Sequence, residues 1–152
     1  MSASGANYLN ILVALQQAVK AFNDANPVTI SGQYANEPLD LVFENERYVP
    51  VIGRPYMEVT LLPGATQQPG NGVDGTEYDT GVLHVDLFYP RDEGAGPALG
   101  RAQLLRGWFK RSTLVSHGGT VVRLPSRASI APGMNNEAWH KRVVTIPYFL
   151  YS

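Results

Sequence analysis

The side chains that most often carry out chemistry are few and scattered in this sequence. Its histidines are His84, His117 and His140, and none lies within about five residues of another, as paired metal ligands on one element do. The chain has no cysteine, which excludes disulfides and thiolate chemistry. No Gly-x-Ser-x-Gly nucleophile elbow occurs either. We therefore expect the histidines to be surface or interface residues, and the chain to have no catalytic residue, metal site or cofactor.

One glycine-rich segment could bind phosphate. Residues 94–100 read Gly-Ala-Gly-Pro-Ala-Leu-Gly and join a predicted strand to a predicted helix, where backbone N–H groups and the helix dipole can hold an anion. The glycine spacing differs from the dinucleotide fingerprint, Asp92 and Glu93 would repel a phosphate, and a hairpin is predicted after the helix instead of a parallel strand. A turn and a helix start explain the glycines. A small nucleotide-binding enzyme remains the alternative from a different class.

Composition favours a structural role. The 152 residues fit one domain, 1–152. Charged residues make up 16%, below the usual share of about a quarter, as suits a subunit that buries surface against its own copies. The net charge of -1 gives no basic footprint for tight nucleic-acid binding. No apolar run approaches the roughly 20 residues of a membrane span, and residues 1–6 lack a secretion signal, so we expect a cytoplasm-like compartment.

The charges are divided unevenly along the chain. Residues 1–79 hold nine acids and three bases, whereas residues 80–152 hold four acids and nine bases. The two halves could interleave in one fold, in which case the asymmetry vanishes in space. Alternatively, the subunit has one acidic and one basic side, which suits head-to-tail contact between copies.

Two apolar stripes at the helical period predict helices over residues 8–24 and 97–111. In the second helix, Pro97 occupies the first turn, where its missing N–H would have no intrahelical partner. Cations are expected to flank the second stripe. Lys110 and Arg111 lie at the C-terminal end of the helix, where the helix dipole favours positive charge. The first stripe is Tyr8, Ile11, Leu12, Leu15, Val19 and Phe22; the second is Ala98, Ala102, Leu105 and Phe109; the flanking cations are Arg101, Arg106, Lys110 and Arg111.

Alternation of apolar and polar residues predicts strands over 56–62 and 81–89. The segment between them is rich in glycine and proline, so residues 64–79 are predicted to form a long loop that projects and becomes ordered only on contact. Residues 116–119 predict a hairpin turn, and Pro147 predicts an edge or a bulge in the last strand. The other predicted strands are 28–30, 39–43, 113–115, 120–124, 126–130 and 139–151.

This order of elements predicts the fold class. Strands joined by short turns favour antiparallel pairing, and two amphipathic helices can cover one face of a sheet. We predict a single α+β domain with a mainly antiparallel sheet, two helices packed on one face and a long Gly-rich loop between strands.

Several segments of the second half carry a family resemblance. They are residues 79–90 (Asp-Thr-Gly-Val-Leu-His-Val-Asp-Leu-Phe-Tyr-Pro), the 94–96 turn, the helix end at 107–111 (Gly-Trp-Phe-Lys-Arg), residues 129–133 (Ser-Ile-Ala-Pro-Gly) and residues 139–148 (Trp-His-Lys-Arg-Val-Val-Thr-Ile-Pro-Tyr). Together they resemble the tail-terminator-like (tail completion) proteins of long-tailed bacteriophages, the siphophages. The N-terminal helix has the right type and place, and residues 25–78 match loosely.

The resemblance implies a structural virion protein, not an enzyme, that forms a homohexameric ring. Such a ring caps the head-proximal end of the tail tube, ends tube polymerisation and forms the joint to the head-completion or stopper protein. Genomic DNA passes through its lumen without sequence-specific binding, and assembly takes place in the host cytoplasm. Because tail-tube subunits look similar in fold, a tail-tube or other head–tail connector subunit is the closest alternative.

Residue types predict where subunits touch. Trp108 falls to one side of its helix's buried stripe, and aromatic and arginine residues are enriched at interface centres. If the two halves of the chain present different faces, acids of one subunit can pair with cations of the next around a ring. The candidate contact residues are Trp108, Arg106, Arg111, Arg123, Arg127, Asp40, Glu44, Glu46, Asp74 and Glu77.

Overall fold

One sheet contains every strand in the described part of the chain. The computed structural model describes residues 8–27, 38–67, 78–110 and 114–151. The sheet has the order β1-β2-β3-β8-β5-β4, and β6 and β7 also pair with β8. The elements are α1 (Tyr8–Ala25), β1 (Asp40–Phe43), β2 (Tyr56–Gln67), β3 (Tyr78–Pro90), α2 (Gly96–Trp108), β4 (Leu114–His117), β5 (Thr120–Arg123), β6 (Ser129–Ile130), β7 (Met134–Asn136) and β8 (Trp139–Tyr151).

The pairing is antiparallel except at one edge. β2 and β3 form a hairpin, and β3 pairs with β8 along the full length of both strands, from Tyr78 opposite Tyr151 to Pro90 opposite Trp139. β1 instead runs parallel to β2, with Asp40 opposite Tyr56. The mainly antiparallel α+β fold predicted from the sequence is therefore confirmed.

Both helices cover the same face of the sheet. α1 packs against β4, β5 and β1, while α2 packs against β8, β3 and β6. Alternate residues of the strands and one apolar stripe of each helix point into a shared core between the helices and the sheet. Its fully buried members include Ile11, Leu15, Val19 and Phe22 from α1, Ala98, Ala102, Leu105 and Phe109 from α2, and Leu83, Val85, Leu87, Val144 and Ile146 from the strands.

The predicted 64–79 loop is shorter than expected, because β2 continues to Gln67 and β3 already begins at Tyr78. The Leu61 N–H donates away from β3, to the Glu44 carboxylate at 2.5 Å. Backbone direction alternates along a strand, so the missing N–H of Pro63 also faces away from β3 and no hairpin bond is lost there. The β2–β3 register shifts between Pro63 and Thr66, and the two strands pair again beyond this point. Residues 68–77 lie outside the described part of the chain.

Other boundaries differ from the prediction. α2 ends at Trp108, and the next N–H, from Phe109, still bonds the Leu105 carbonyl at 3.0 Å. Only Ser129–Ile130 of the predicted 126–130 strand pairs with β8. The exposed β7 was not predicted, because Met134-Asn-Asn136 has no apolar alternation; it joins β8 through a turn in which Glu137 has a φ of 53°. The predicted 28–30 strand lies outside the described residues.

Two turn-chemistry predictions can be compared with the backbone. Gly118 and Gly119 both have positive φ, 58° and 82°, which is the geometry of a tight two-residue hairpin turn, and β4 and β5 pair on either side of it. Pro147 lies in β8, which is an internal strand. The Ala131 N–H donates to the Val143 carbonyl at 2.9 Å, so Pro147, four residues later, faces the same side. On that side of β8, residues 124–128 connect β5 to β6 outside the sheet. Pro147 therefore has no strand partner there, and its missing N–H removes no hydrogen bond from the sheet.

Candidate subunit-contact surfaces

The histidines remain dispersed in the fold. His84 is half-buried on the sheet face that the helices do not cover, and His117 is exposed at the end of β4. His140 lies with Nδ1 2.9 Å from Oδ1 of Asn135. Among the described residues, no group of three or more His, Asp and Glu side chains could hold a metal ion.

The 94–100 segment does not lie in a dinucleotide-binding unit. It connects β3 to α2, with Gly94 at a φ of 81°. Both sheet neighbours of β3, which are β2 and β8, run antiparallel to it. A dinucleotide-binding unit instead needs a parallel strand after the helix. The glycines therefore serve a turn and a helix start.

An aromatic cluster on the uncovered sheet face fixes the connection between β1 and β2. The Tyr56 ring stacks on Phe88 at 4.5 Å, meets Trp139 edge-on at 5.1 Å and lies 5.0 Å from Tyr48. The Tyr48 hydroxyl donates to Asp40 at 2.8 Å, and burial together with this bond raises the pKa of Tyr48. Tyr48 is thus held to the sheet at the middle of the connection.

The candidate acids lie on or beside β1. Asp40 forms an ion pair with Arg54 at 2.9 Å as well as accepting from Tyr48, so it is engaged within its own subunit. Glu44 accepts from Leu61 N, and Glu46 accepts from Phe43 N at 2.9 Å. Both carboxylates extend the end of β1 as backbone acceptors while remaining exposed. With Glu58 they line an open concavity of about 290 Å³ that contains three acids and no base, which makes the Phe43 end of this edge acidic.

Three apolar side chains are exposed in the connection from β1 to β2. Val49, Val51 and Ile52 are 74%, 48% and 74% exposed, and a turn closed by the Arg54 N–H to the Val51 carbonyl, at 3.0 Å, presents them. We call residues 49–52 the apolar tip. No contact surface was predicted there, because the segment is broken by proline and glycine. The available signal was a Val-Pro-Val-Ile run that has neither helical nor strand periodicity.

A basic groove lies between α2 and β6. Arg106 reaches across it and donates from Nε to the Ala128 carbonyl at 3.0 Å. The groove is open and has a volume of about 520 Å³, and its lining residues include two arginines, Arg106 and Arg127, and no acid. Its lining residues are Gln103, Arg106, Arg127, Ala128, Ser129 and Ile130. We call this surface the basic groove.

Trp108 lies on the other side of α2. It is 40% exposed, and its ring meets buried Phe22 of α1 edge-on at 5.8 Å. Leu104, one turn earlier, is 52% exposed. Trp108 is therefore a partly covered surface residue and not a core tryptophan, as a contact role requires. Arg111, predicted beside it, lies outside the described residues, as do Asp74 and Glu77.

Arg101 is buried, contrary to the prediction that it flanks the helix stripe; it is only 4% exposed. Its Nη2 donates to Oδ1 of Asn23 at 2.6 Å, its Nη1 donates to the Asn26 carbonyl, and its guanidinium lies 5.0 Å above the Phe22 ring. Burial lowers the pKa of Arg101. The charge is offset by the carbonyl end of α1, where the helix dipole is negative. This contact fixes the C-terminus of α1 to α2.

The structure places the candidate acids and cations at opposite sides of the sheet. Asp40, Glu44 and Glu46 lie at the β1 edge, whereas Arg123 lies on β5 and Arg106 and Arg127 line the basic groove. β2, β3 and β8 separate β1 from β5 and β6. These candidate acids and cations are therefore separated in space.

Comparison with known proteins agrees with this architecture. A family model described as phage tail terminator protein matches residues 10–148. Ten solved chains match the fold; one of them is 20% identical, with a TM-score of 0.74 over 96% of each chain, and shows the fold alone. No curated protein matches the sequence. None of the described helices has the length and apolar character to cross a membrane.

Proposed function

Because the chain belongs to the phage tail terminator family, and is thus a structural tail protein, we propose that it acts as a homohexameric ring. The ring caps the head-proximal end of the tail tube, ends tube polymerisation and provides the joint to the head-completion or stopper protein. It assembles in the host cytoplasm, and DNA passes through its lumen without sequence-specific binding. The family match and the charge distribution support this proposal.

The observation that carries ring formation is the separation of charge across the sheet. A surface that binds a different surface of an identical copy makes a heterologous contact, and such contacts form closed rings when the rotation per subunit divides the circle. The acidic β1 edge and the cationic α2–β6 side are two such surfaces. Glu44 and Glu46 of one subunit then face Arg106, Arg123 and Arg127 of the next.

The charges set orientation and encounter rate more than affinity. Exposed ion pairs contribute about 0–1 kcal/mol each and are screened beyond roughly 8–10 Å at physiological salt. Apolar contacts therefore supply most of the binding free energy. We expect ring assembly to slow markedly from low to moderate salt, while the assembled ring weakens less.

Charge reversal tests the pairing. Glu46→Lys and Arg127→Glu should each slow assembly in sedimentation and light-scattering measurements, and the double variant should recover much of the rate. Lys20→Glu is the matched control, because Lys20 is exposed on α1, away from both charged surfaces, and pairs with Asp24 at 2.8 Å. Assembly that is independent of salt and of both reversals would contradict the heterologous pairing.

Tube assembly tests the terminator function against the tail-tube alternative. Negative-stain images of the purified protein should show single rings, and added protein should stop growth of tail tubes at their head-proximal end. Replacing residues 68–77 by a short Gly-Ser linker should leave the monomer folded and impair ring formation or docking. Stacked tubes formed by the chain alone would indicate a tube subunit, and tails of normal length with the linker variant would exclude that segment as an assembly element.

A further inference from the structure

The edge of the sheet passes from β1 to β2 at the end of β1. The pairing of β1 with β2 ends where Phe43 lies opposite Val59, so beyond this point the outer side of β2 itself is the edge. The backbone of Leu61 faces outward there, and so does that of Pro63, because backbone direction alternates along a strand. An edge strand normally presents unpaired N–H and C=O groups, to which another chain can add a strand.

Two carboxylates bond the outward N–H groups at this point. A turn at Asn45, whose φ is 62°, takes the chain away from β2, and the Glu44 side chain returns so that Oε1 accepts the Leu61 N–H at 2.5 Å. On β1, Glu46 Oε1 accepts the Phe43 N–H at 2.9 Å, and the Glu46 N–H donates to the Phe43 carbonyl at 3.3 Å. Both backbone groups of Phe43 therefore bond Glu46 and face away from β2.

The next outward position of β2 has no donor. Pro63 lacks a backbone N–H, and the β2–β3 register shifts directly after it, before Thr66. Prolines and bulges at sheet edges hinder pairing with another chain. The outward positions at residues 43, 61 and 63 therefore offer no free N–H to an incoming strand.

We infer that Glu44 and Glu46 act as side-chain caps that close this edge to strand addition. A carboxylate forms a stronger hydrogen bond with an N–H group than a neutral carbonyl does, and both side chains remain exposed to water. An incoming strand would therefore have to displace two bonded, solvated charges before it could pair. The caps act in the free subunit, so this role does not depend on ring assembly.

The caps also define how other chains can contact this edge. Each bond uses one carboxylate oxygen, Oε1, and the second oxygen of each group can still face a cation. Contacts at the Phe43 end of β1 are then made by side chains and not by backbone pairing. This is compatible with the ion pairs proposed for the ring.

Charge repulsion is the competing explanation, and Glu58 provides the matched control. Glu58 lies in β2 and lines the same concavity as Glu44 and Glu46, but it makes neither of the two cap bonds. Glu58→Ala therefore removes one charge from the concavity and leaves both caps in place. Glu44→Gln also removes one charge, but it keeps an oxygen that can accept the Leu61 N–H.

Amide hydrogen exchange of the monomer tests the caps directly. Glu44→Ala should speed exchange of the Leu61 amide about tenfold, as the loss of one hydrogen bond to a charged group implies, and Glu46→Ala should do the same at Phe43. Glu44→Gln should have a smaller effect, and Glu58→Ala should change neither amide. Unchanged exchange at Leu61 in Glu44→Ala overturns the inference.

Self-association provides the second measurement. Glu44→Ala/Pro63→Val makes two outward donors available, and it should associate about tenfold faster than the parent in light scattering, with growth of the infrared band of intermolecular β-sheet. If this variant does not fold, Glu44→Ala/Glu46→Ala replaces it, because it leaves the proline in place. Faster association without that infrared band overturns the inference. So does association of Glu58→Ala that is as fast as that of Glu44→Ala, because charge repulsion would then explain the result.

Discussion

Asn23→Ala should cost far more stability than its place near the end of a helix suggests. The buried side chain of Asn23 donates from Nδ2 to the Leu39 carbonyl at 2.7 Å, and its Oδ1 accepts from the Leu39 N–H at 3.2 Å and from Arg101 Nη2 at 2.6 Å. This one amide joins α1, the residue before β1, and α2. Alanine removes all of these bonds at once.

The magnitude follows from the groups left behind. Each buried donor or acceptor that loses its partner costs about 1–3 kcal/mol, and more when it is charged. Water entering the space of the lost amide satisfies part of them, so we expect a loss of about 3 kcal/mol. That corresponds to a shift of more than about a hundredfold in the folding equilibrium. Asn23→Asp keeps the acceptor for Leu39 and Arg101 and adds an opposite charge beside Arg101. It also sets a carboxylate oxygen against the Leu39 carbonyl in place of the amide donor, so we expect its cost to be about half.

Urea unfolding of the monomer, followed by tryptophan fluorescence at a concentration below assembly, measures both variants. Because Leu39 leads into β1, Asn23→Ala should also weaken self-association once the loss of folded protein is corrected for. Equal costs for the alanine and aspartate variants, or an alanine cost below about 1 kcal/mol, would refute the reasoning that this amide holds the β1 edge in place.

Three further outcomes follow from packing and burial. Gly81→Ala should destabilise the fold by about 2–3 kcal/mol, since a Cβ there would lie 2.6 Å from Cζ of Tyr148 and 2.7 Å from a backbone carbonyl oxygen. The control Gly100→Ala, in open space within α2, should be neutral or stabilising. Equal urea unfolding midpoints for the two variants would contradict this. Burial raises the pKa values of Tyr89 and Tyr148 to about 12. Their protonated hydroxyls therefore contribute fully to the free energy of unfolding below about pH 10, and this contribution, about 2–3 kcal/mol each, is lost towards pH 12. Tyr148→Phe should reduce the loss of stability at alkaline pH in urea titrations, and an unchanged loss would contradict this. Trp108→Ala should cost only about 1–2 kcal/mol, because the ring is partly exposed and mainly loses its edge contact with a phenylalanine, and should weaken self-association by sedimentation; a loss of 3–5 kcal/mol would instead mark a core residue.

The long helix and strand segments were predictable because the residues within each segment are enough to specify its secondary structure. α1 and β8 lie within one residue of the predicted bounds, since α1 has an apolar stripe at the helical period and β8 is a long segment rich in β-branched and aromatic residues. β7 and the strand pairing beyond Pro63 were not predictable, because backbone partners from distant segments stabilise them. Their own side chains carry little signal.

The contact surfaces were only partly predictable. The uneven charge was visible in the sequence, but segregation in space depends on β8 lying between β3 and β5, and nothing local specifies that strand order. Arg101 looked like a solvated cation beside the stripe. Its burial depends on carbonyl groups at the end of α1, which α2 meets only in the tertiary fold. The apolar tip was missed because exposure is a property of the fold and not of the segment.

The central position of β8 has a consequence for how the chain folds. β8 follows in sequence every strand with which it pairs, and it joins β3 to β5, β6 and β7. Until β8 has been synthesised, the β2–β3 hairpin has one long open edge and the α2–β5 segment has no sheet on which to pack. Contacts between residues so distant in sequence make folding slow, and open edges during that interval favour aggregation. We expect substitutions in β8 to slow folding as well as to lower the stability of the finished domain.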